Sequence, residues 1–191
     1  LRYFLMRETI FGNDGNYSDE LLINRVNSDL SNDLGNLSQR CLSMVNKHCN
    51  SKVPEKNSLK IVDQELLDLL EIKVNEILEM MDNYQINSYI EEVFKIVSLT
   101  NKYFSDQKPW ELKNNDLMRM NSVLWVTVEM IRKISIMLQP VMPESCKRLL
   151  DILCVKDDQR TFDFINDKFS LIPGKSIKEP VIIFPKIEYK K

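Results

Sequence analysis

Alanine is absent from the 191 residues, while asparagine, isoleucine and lysine abound, a bias we ascribe to nucleotide composition and to no mechanism. Glycine and proline are scarce, at 4 and 7 residues, below the roughly 7% and 5% of average usage, which argues against a turn-rich sandwich or barrel and leaves helix. No apolar run reaches the about 18 residues of a spanning helix, and the amino end shows neither a signal-peptide nor a transit-peptide pattern. A soluble chain with no membrane partner is expected. With 43% hydrophobic residues it is long enough for one good core. The net charge of −2 supplies no basic blanket for duplex phosphates, so DNA is not an expected partner, though a local RNA contact stays open. The sequence holds a single histidine, His48, which removes most metal-site and acid–base schemes. Cys41, Cys49, Cys146 and Cys154 form no CxxC, so neither zinc ribbon nor redox motif is encoded and reduced, cytosolic thiols are expected. No nucleophile elbow, phosphate loop, calcium loop or carboxylate pair stands out, and no catalytic residue is assigned.

What is present is helical periodicity. The opening Leu1-Arg2-Tyr3-Phe4-Leu5-Met6-Arg7-Glu8 already has helical spacing without a capping residue, as though cut from something longer. Turn formers follow from Phe11 to Ser18, and Ser18 can cap the next helix. From about Asp19 to Lys47 the stripe positions Ile23, Val26, Leu30, Leu34, Leu37, Cys41, Met44 and His48 step by three and four. Similar stripes run from Leu66 to Tyr84, from Ile86 to Phe104 and from Leu117 to Leu138, and Glu144 to Leu153 makes a shorter fifth helix. Pro109 should end the third and open a new turn. Pro180-Val181-Ile182-Ile183-Phe184-Pro185 is the sole strand-like run, in a polar tail that should pack back or fray. Short links favour antiparallel neighbours, so the expected fold is all-α, a bundle of about five helices with an irregular carboxyl-terminal tail.

Two features could carry chemistry. Opposite the first apolar stripe, Asn36 and Arg40 stand one turn apart and point the same way, offering an amide and a planar fork that can match the edge of an exposed base. The same pair also reads as an ordinary solvated helix face. Trp110 follows a helix-breaking Lys-Pro step, where an indole can stack on a base or plug the bundle's end. Gly35, mid-helix, requires a close approach, by a neighbouring helix or by a ligand backbone.

In their order and spacing these segments resemble the carboxyl-terminal portion of class I methionyl-tRNA synthetases of bacterial or organellar type. The landmarks are Leu1 to Glu8, Asp14-Gly15-Asn16-Tyr17-Ser18, Asn32-Asp33-Leu34-Gly35-Asn36-Leu37-Ser38-Gln39-Arg40, Lys108-Pro109-Trp110, Leu138-Gln139-Pro140-Val141-Met142-Pro143 and Phe184-Pro185-Lys186-Ile187-Glu188. The resemblance spans essentially the whole chain. It implies that the bundle reads the CAU anticodon of tRNA-Met, with Asn36 and Arg40 hydrogen-bonding the first base and Trp110 stacking. It implies also that residues 1–18 connect to a catalytic domain, 19–155 form the bundle and 156–191 are a tail packing back. The family's catalytic signatures, of His-Ile-Gly-His and Lys-Met-Ser-Lys-Ser type, and its zinc knuckle are not in these residues. No methionyl-adenylate formation is therefore expected from this chain alone, nor any cofactor or metal, while the complete enzyme would use ATP to join methionine to tRNA-Met. The expected compartment is the cytoplasm, or alternatively the mitochondrial matrix. A sister class I synthetase domain, for cysteine or a branched aliphatic amino acid, and a cytokine-like interaction bundle are the competing readings.

Overall fold

In the computed structural model, residues 1–188 are described. Helix α1 (Arg2–Glu8) precedes a turn-rich link that ends at Ser18, whose hydroxyl accepts the Leu21 N–H at 3.1 Å and so starts α2 (Asp19–Arg25). The helix continues as a π-helical segment, Val26–Gly35, and then as α3 (Asn36–His48). Next come α4 (Ile61–Asp82), α5 (Ile86–Gln107), the four-residue α6 (Pro109–Leu112), α7 (Leu117–Leu138) and α8 (Pro143–Ile152). Three short 3-10 turns (Asp157–Gln159, Phe162–Phe164 and Asp167–Phe169) carry the tail. The four long stripes and the shorter fifth helix expected from periodicity are all present, and the all-α bundle with an irregular tail is the fold observed. None of the described helices is long and apolar enough to cross a membrane.

The scarcity of glycine leaves a mark on the helix ends. A helix commonly stops on a left-handed residue, usually glycine. Here non-glycine residues take positive φ where α3, α4, α5 and α8 end: Asn50 (53°), Tyr84 (59°), Lys108 (45°) and Cys154 (54°). Each such residue costs on the order of 1 to 2 kcal/mol.

Helix α7 is the bundle's axis, buried on nearly every side, and its hydrophobic faces meet α3, α5 and α8. Its charged residues are buried with partners. Arg119 grips Asp63 on α4, donating from Nη2 at 2.8 Å, while the Tyr103 hydroxyl of α5 donates to the same carboxylate at 2.6 Å. Burial alone would raise the Asp63 carboxyl, but the hydrogen bonds from Arg119, Tyr103 and the Lys60 N–H together hold it below the usual carboxylate range. Further along, Glu129 and Arg132 pair with each other and tie down the tail. Glu129 accepts the Leu171 N–H at 2.9 Å, and Arg132 donates to the Phe164 carbonyl at 2.7 Å. Trp125, inside α7, is core, and its indole N–H donates to the Leu171 carbonyl at 3.1 Å.

The strand-like run at 180–185 forms no strand. Pro180 and Pro185 remove two N–H donors, and no partner strand runs alongside; among the described residues the one β-type pairing is an isolated antiparallel bridge between Lys52 and Ser176. Instead the segment folds over the π-helix, burying Ile183 and bringing Phe184 against Gly35. The close approach at Gly35 therefore comes from the tail and from the winding of its own helix, and not from a neighbouring helix. A Cβ there would stand 3.1 Å from the Phe184 Cβ and 2.6 Å from the Leu30 carbonyl oxygen, which the i→i+5 winding draws inward.

Candidate nucleic-acid interface

The polar face of the first long helix divides into two halves with different duties. Its amino-terminal half is used internally. Asp29 accepts from the Tyr3 hydroxyl of α1 at 2.6 Å, and Asp33 accepts from Ser98 at 3.1 Å and from Asn101, both on α5. Its carboxyl-terminal half, beginning where π winding gives way to α at Asn36, faces outward. Asn36 is exposed, and its amide makes no hydrogen bond with any described residue.

One turn on, the Arg40 guanidinium carbon lies 5.0 Å from the centre of the Trp110 ring and 5.2 Å from that of Phe104. The two rings are 5.9 Å apart and tilted by 59°. Arg40 is half-buried, yet it has neither an ion pair nor a hydrogen bond to a described residue, and none of its nitrogens is sealed from water. Ring contacts thus hold the group, at about 0.5 to 1 kcal/mol each for partly exposed sites, while its N–H donors stay uncommitted. That is the state a base-reading fork requires.

Trp110 reaches this place through its local sequence. Pro109 cannot continue α5; Lys108 takes the left-handed conformation, and Pro109, buried, opens α6 with Trp110 next. The ring is partly exposed, resting on Phe104 without being entombed. Sequence reasoning missed Phe104, which underlies both Arg40 and Trp110. Periodicity places it in the α5 core stripe, where it does lie, fully buried, and nothing in the stripe signals that its ring supports a half-buried arginine.

Beyond Arg40 on the same face lies Lys47, followed in the chain by His48, whose imidazole is pulled below its ordinary value by burial and by the charges of Lys113, just after α6, and Lys47. Lys47 and Lys113 have no carboxylate partner among the described residues. Nor do the described residues include a group of three or more histidine, cysteine or acidic side chains placed to hold a metal ion.

The family model described as the anticodon binding domain of methionyl tRNA ligase matches residues 53–191. The chain belongs to that family. A second model, for tRNA synthetases class I (M), matches residues 1–42, so Asn36 and Arg40 fall in one matched region and Trp110 in the other. The methionine–tRNA ligase of Brucella suis is 42% identical over 186 residues, covering 97% of this chain, and that of Mycobacterium leprae is 39% identical over 192 residues, covering 98%. The chain spans 36% and 35% of the length of those two methionine–tRNA ligases. Among solved structures, the free-state Mycobacterium tuberculosis methionyl-tRNA synthetase superposes with a TM-score of 0.94 at 37% identity, over 99% of this chain and 38% of that one. The same organism's enzyme bound by methionyl-adenylate gives 0.92 at 38% identity, over 96% of this chain and 37% of that one. The anticodon-binding bundle of these ligases is thus the architecture in which Arg40 and Trp110 meet.

Proposed function

We propose that this chain is the part of a methionine–tRNA ligase that selects tRNA-Met by its CAU anticodon. Asn36 and Arg40 hydrogen-bond the edge of the unstacked first anticodon base, and the exposed part of the Trp110 ring stacks on a base. The observation that carries this reading is the Arg40 guanidinium, held between two aromatic rings with its donors free. Single-stranded loop bases are read by stacking and edge hydrogen bonds, which a domain of net charge −2 can supply. The alternatives weaken accordingly. A protein-interaction bundle has no need of an unpaired arginine seated on aromatics, and the family match favours methionine over the sister synthetases.

In this reading residues 1–18 connect to a preceding catalytic part, 19–155 are the bundle and 156–191 are the returning tail. The complete enzyme activates methionine with ATP and transfers it to tRNA-Met. The match of residues 1–42 to a class I synthetase model supports such a connection. We assign the ligase to the cytoplasm, consistent with four free cysteines. Filter binding of tRNA-Met against a copy with a swapped anticodon is the test. Preference for the CAU copy is expected, and equal binding would overturn the reading.

A further inference from the structure

The segment that ends at Asn36 is unusual in its winding. Ten residues, Val26–Gly35, follow the rare i→i+5 pattern before normal α geometry resumes at Asn36. Because π winding turns less per residue than α winding, the length of this segment fixes the direction in which every side chain of α3 points, Asn36 and Arg40 included. Something must hold the transition in place, since π segments are seldom long without support.

Two supports converge on it. From α5, Asn101 donates to the Asp33 carbonyl at 3.3 Å and to its carboxylate, and Phe104, one turn further, lies under Arg40. From the tail, Phe184 sits against Gly35, where even a methyl group would stand 3.1 Å from its Cβ. Three residues on, the tail is pinned by a reciprocal pair: Asn27 Nδ2 donates to the Ile187 carbonyl and the Ile187 N–H donates to Asn27 Oδ1, both at 2.8 Å. The tail thus clamps both ends of the π segment, at Asn27 and at Gly35, on the side away from the Asp33 contacts with α5.

We infer that Phe184 and Asn27 are positioning residues for base recognition: the tail from Ile183 to Ile187 is a strut that fixes the π-to-α transition and so aims Asn36 and Arg40. The inference rests on the reading of Asn36 and Arg40 as the base-reading pair. Neither Phe184 nor Asn27 touches RNA in this scheme; each acts through the helix. Removal of a merely stabilising interaction would lower the folded fraction and weaken all RNAs alike. Removal of the strut misaims a fork and erodes discrimination between bases.

The experiment measures, in the complete ligase, the affinities of two anticodon stem-loops, one with CAU and one with its first base changed, for wild type, Phe184→Ala, Phe184→Leu and Asn27→Ala. Thermal unfolding reports that each variant is folded. The ratio of the two affinities should fall about 10-fold in Phe184→Ala, the scale of discrimination that one good bidentate hydrogen-bonded pair provides. It should fall less in Asn27→Ala and recover most of the way in Phe184→Leu, which restores apolar bulk against Gly35. A wild-type ratio in folded Phe184→Ala and Asn27→Ala overturns the strut. Should Phe184→Ala not fold, Asn27→Ala, at an exposed pair, decides alone: a lowered ratio supports the strut and an unchanged one overturns it. If wild type itself does not discriminate, the reading of Asn36 and Arg40 fails, and the strut falls with it.

Discussion

Arg40 of α3 and Trp110 of α6 come from different halves of the chain, yet the guanidinium carbon of one lies 5.0 Å from the ring centre of the other. The contact joins a charged group that has no counter-ion among the described residues to a partly exposed indole, and it orients both without consuming the arginine's hydrogen-bond donors. Protein interiors ordinarily pair an arginine with a carboxylate, as Arg119 does with Asp63 in the same bundle. The contrast separates an arginine that builds the fold from one left available to a ligand.

The first prediction concerns the stacking surface. Trp110→Ala should keep the fold, since the ring caps Phe104 from outside, and should weaken tRNA-Met binding by about 10-fold to 200-fold, the worth of one base–aromatic stack. Filter binding at fixed salt measures it, and unchanged affinity in a folded variant would remove Trp110 from the site.

The second concerns the fork. Arg40→Lys preserves charge, so the salt dependence of binding should barely move. Discrimination at the first anticodon base should nonetheless drop by about 1 to 3 kcal/mol, because an ammonium offers no planar pair of donors. Competition between matched and mismatched stem-loops reads this directly, and an undiminished preference would show that charge alone suffices.

Much of the fold was legible in the sequence. The stripes from Leu30 to Met44, Leu66 to Tyr84, Ile86 to Phe104 and Leu117 to Leu138 all became helices, and the Lys108-Pro109 step ended one helix and began another. The π segment was not legible, because apolar steps of four, such as Val26, Leu30 and Leu34, fit either winding. Nor was the burial of Glu129, Arg132 and Lys133 legible. Their buried surroundings depend on tail residues such as Phe164, Asp167 and Leu171, which no local pattern connects to them. Of the site, the Asn36 and Arg40 face could be read from spacing, but its meeting with Trp110 came from family resemblance, and Phe104 was hidden in its own stripe.

A third prediction follows from Asp63. Its carboxyl titrates below the ordinary value in the folded state, so the stability it contributes is complete above that ordinary value of 3.8 and drains away as pH falls through the lower folded one. Asp63→Asn should flatten this part of the acid-unfolding curve. At pH 7 it should cost about 3 to 5 kcal/mol, because Arg119 is left buried without its counter-charge. Urea unfolding of the two proteins across pH 3 to 7 (about four units around the carboxylate range) checks both.

The fourth uses the backbone. Cys154 closes α8 at φ 54°, a conformation glycine adopts without steric cost. Cys154→Gly should raise the melting temperature by about 2 to 4 °C, the shift that roughly 1 kcal/mol gives in a chain of this size. Calorimetry decides it, and a lowered melting temperature would mean that the thiol does more for the fold than its exposed position indicates.

The most direct test is a double-mutant cycle on the affinity for a CAU anticodon stem-loop, using wild type, Arg40→Ala, Trp110→Ala and the pair. Two residues that form one base-binding unit should be coupled by about 0.5 to 3 kcal/mol, so that the second substitution costs little once the first is made. Losses that add to within about 0.5 kcal/mol, or two variants that bind as wild type does, would contradict a shared site for the first anticodon base.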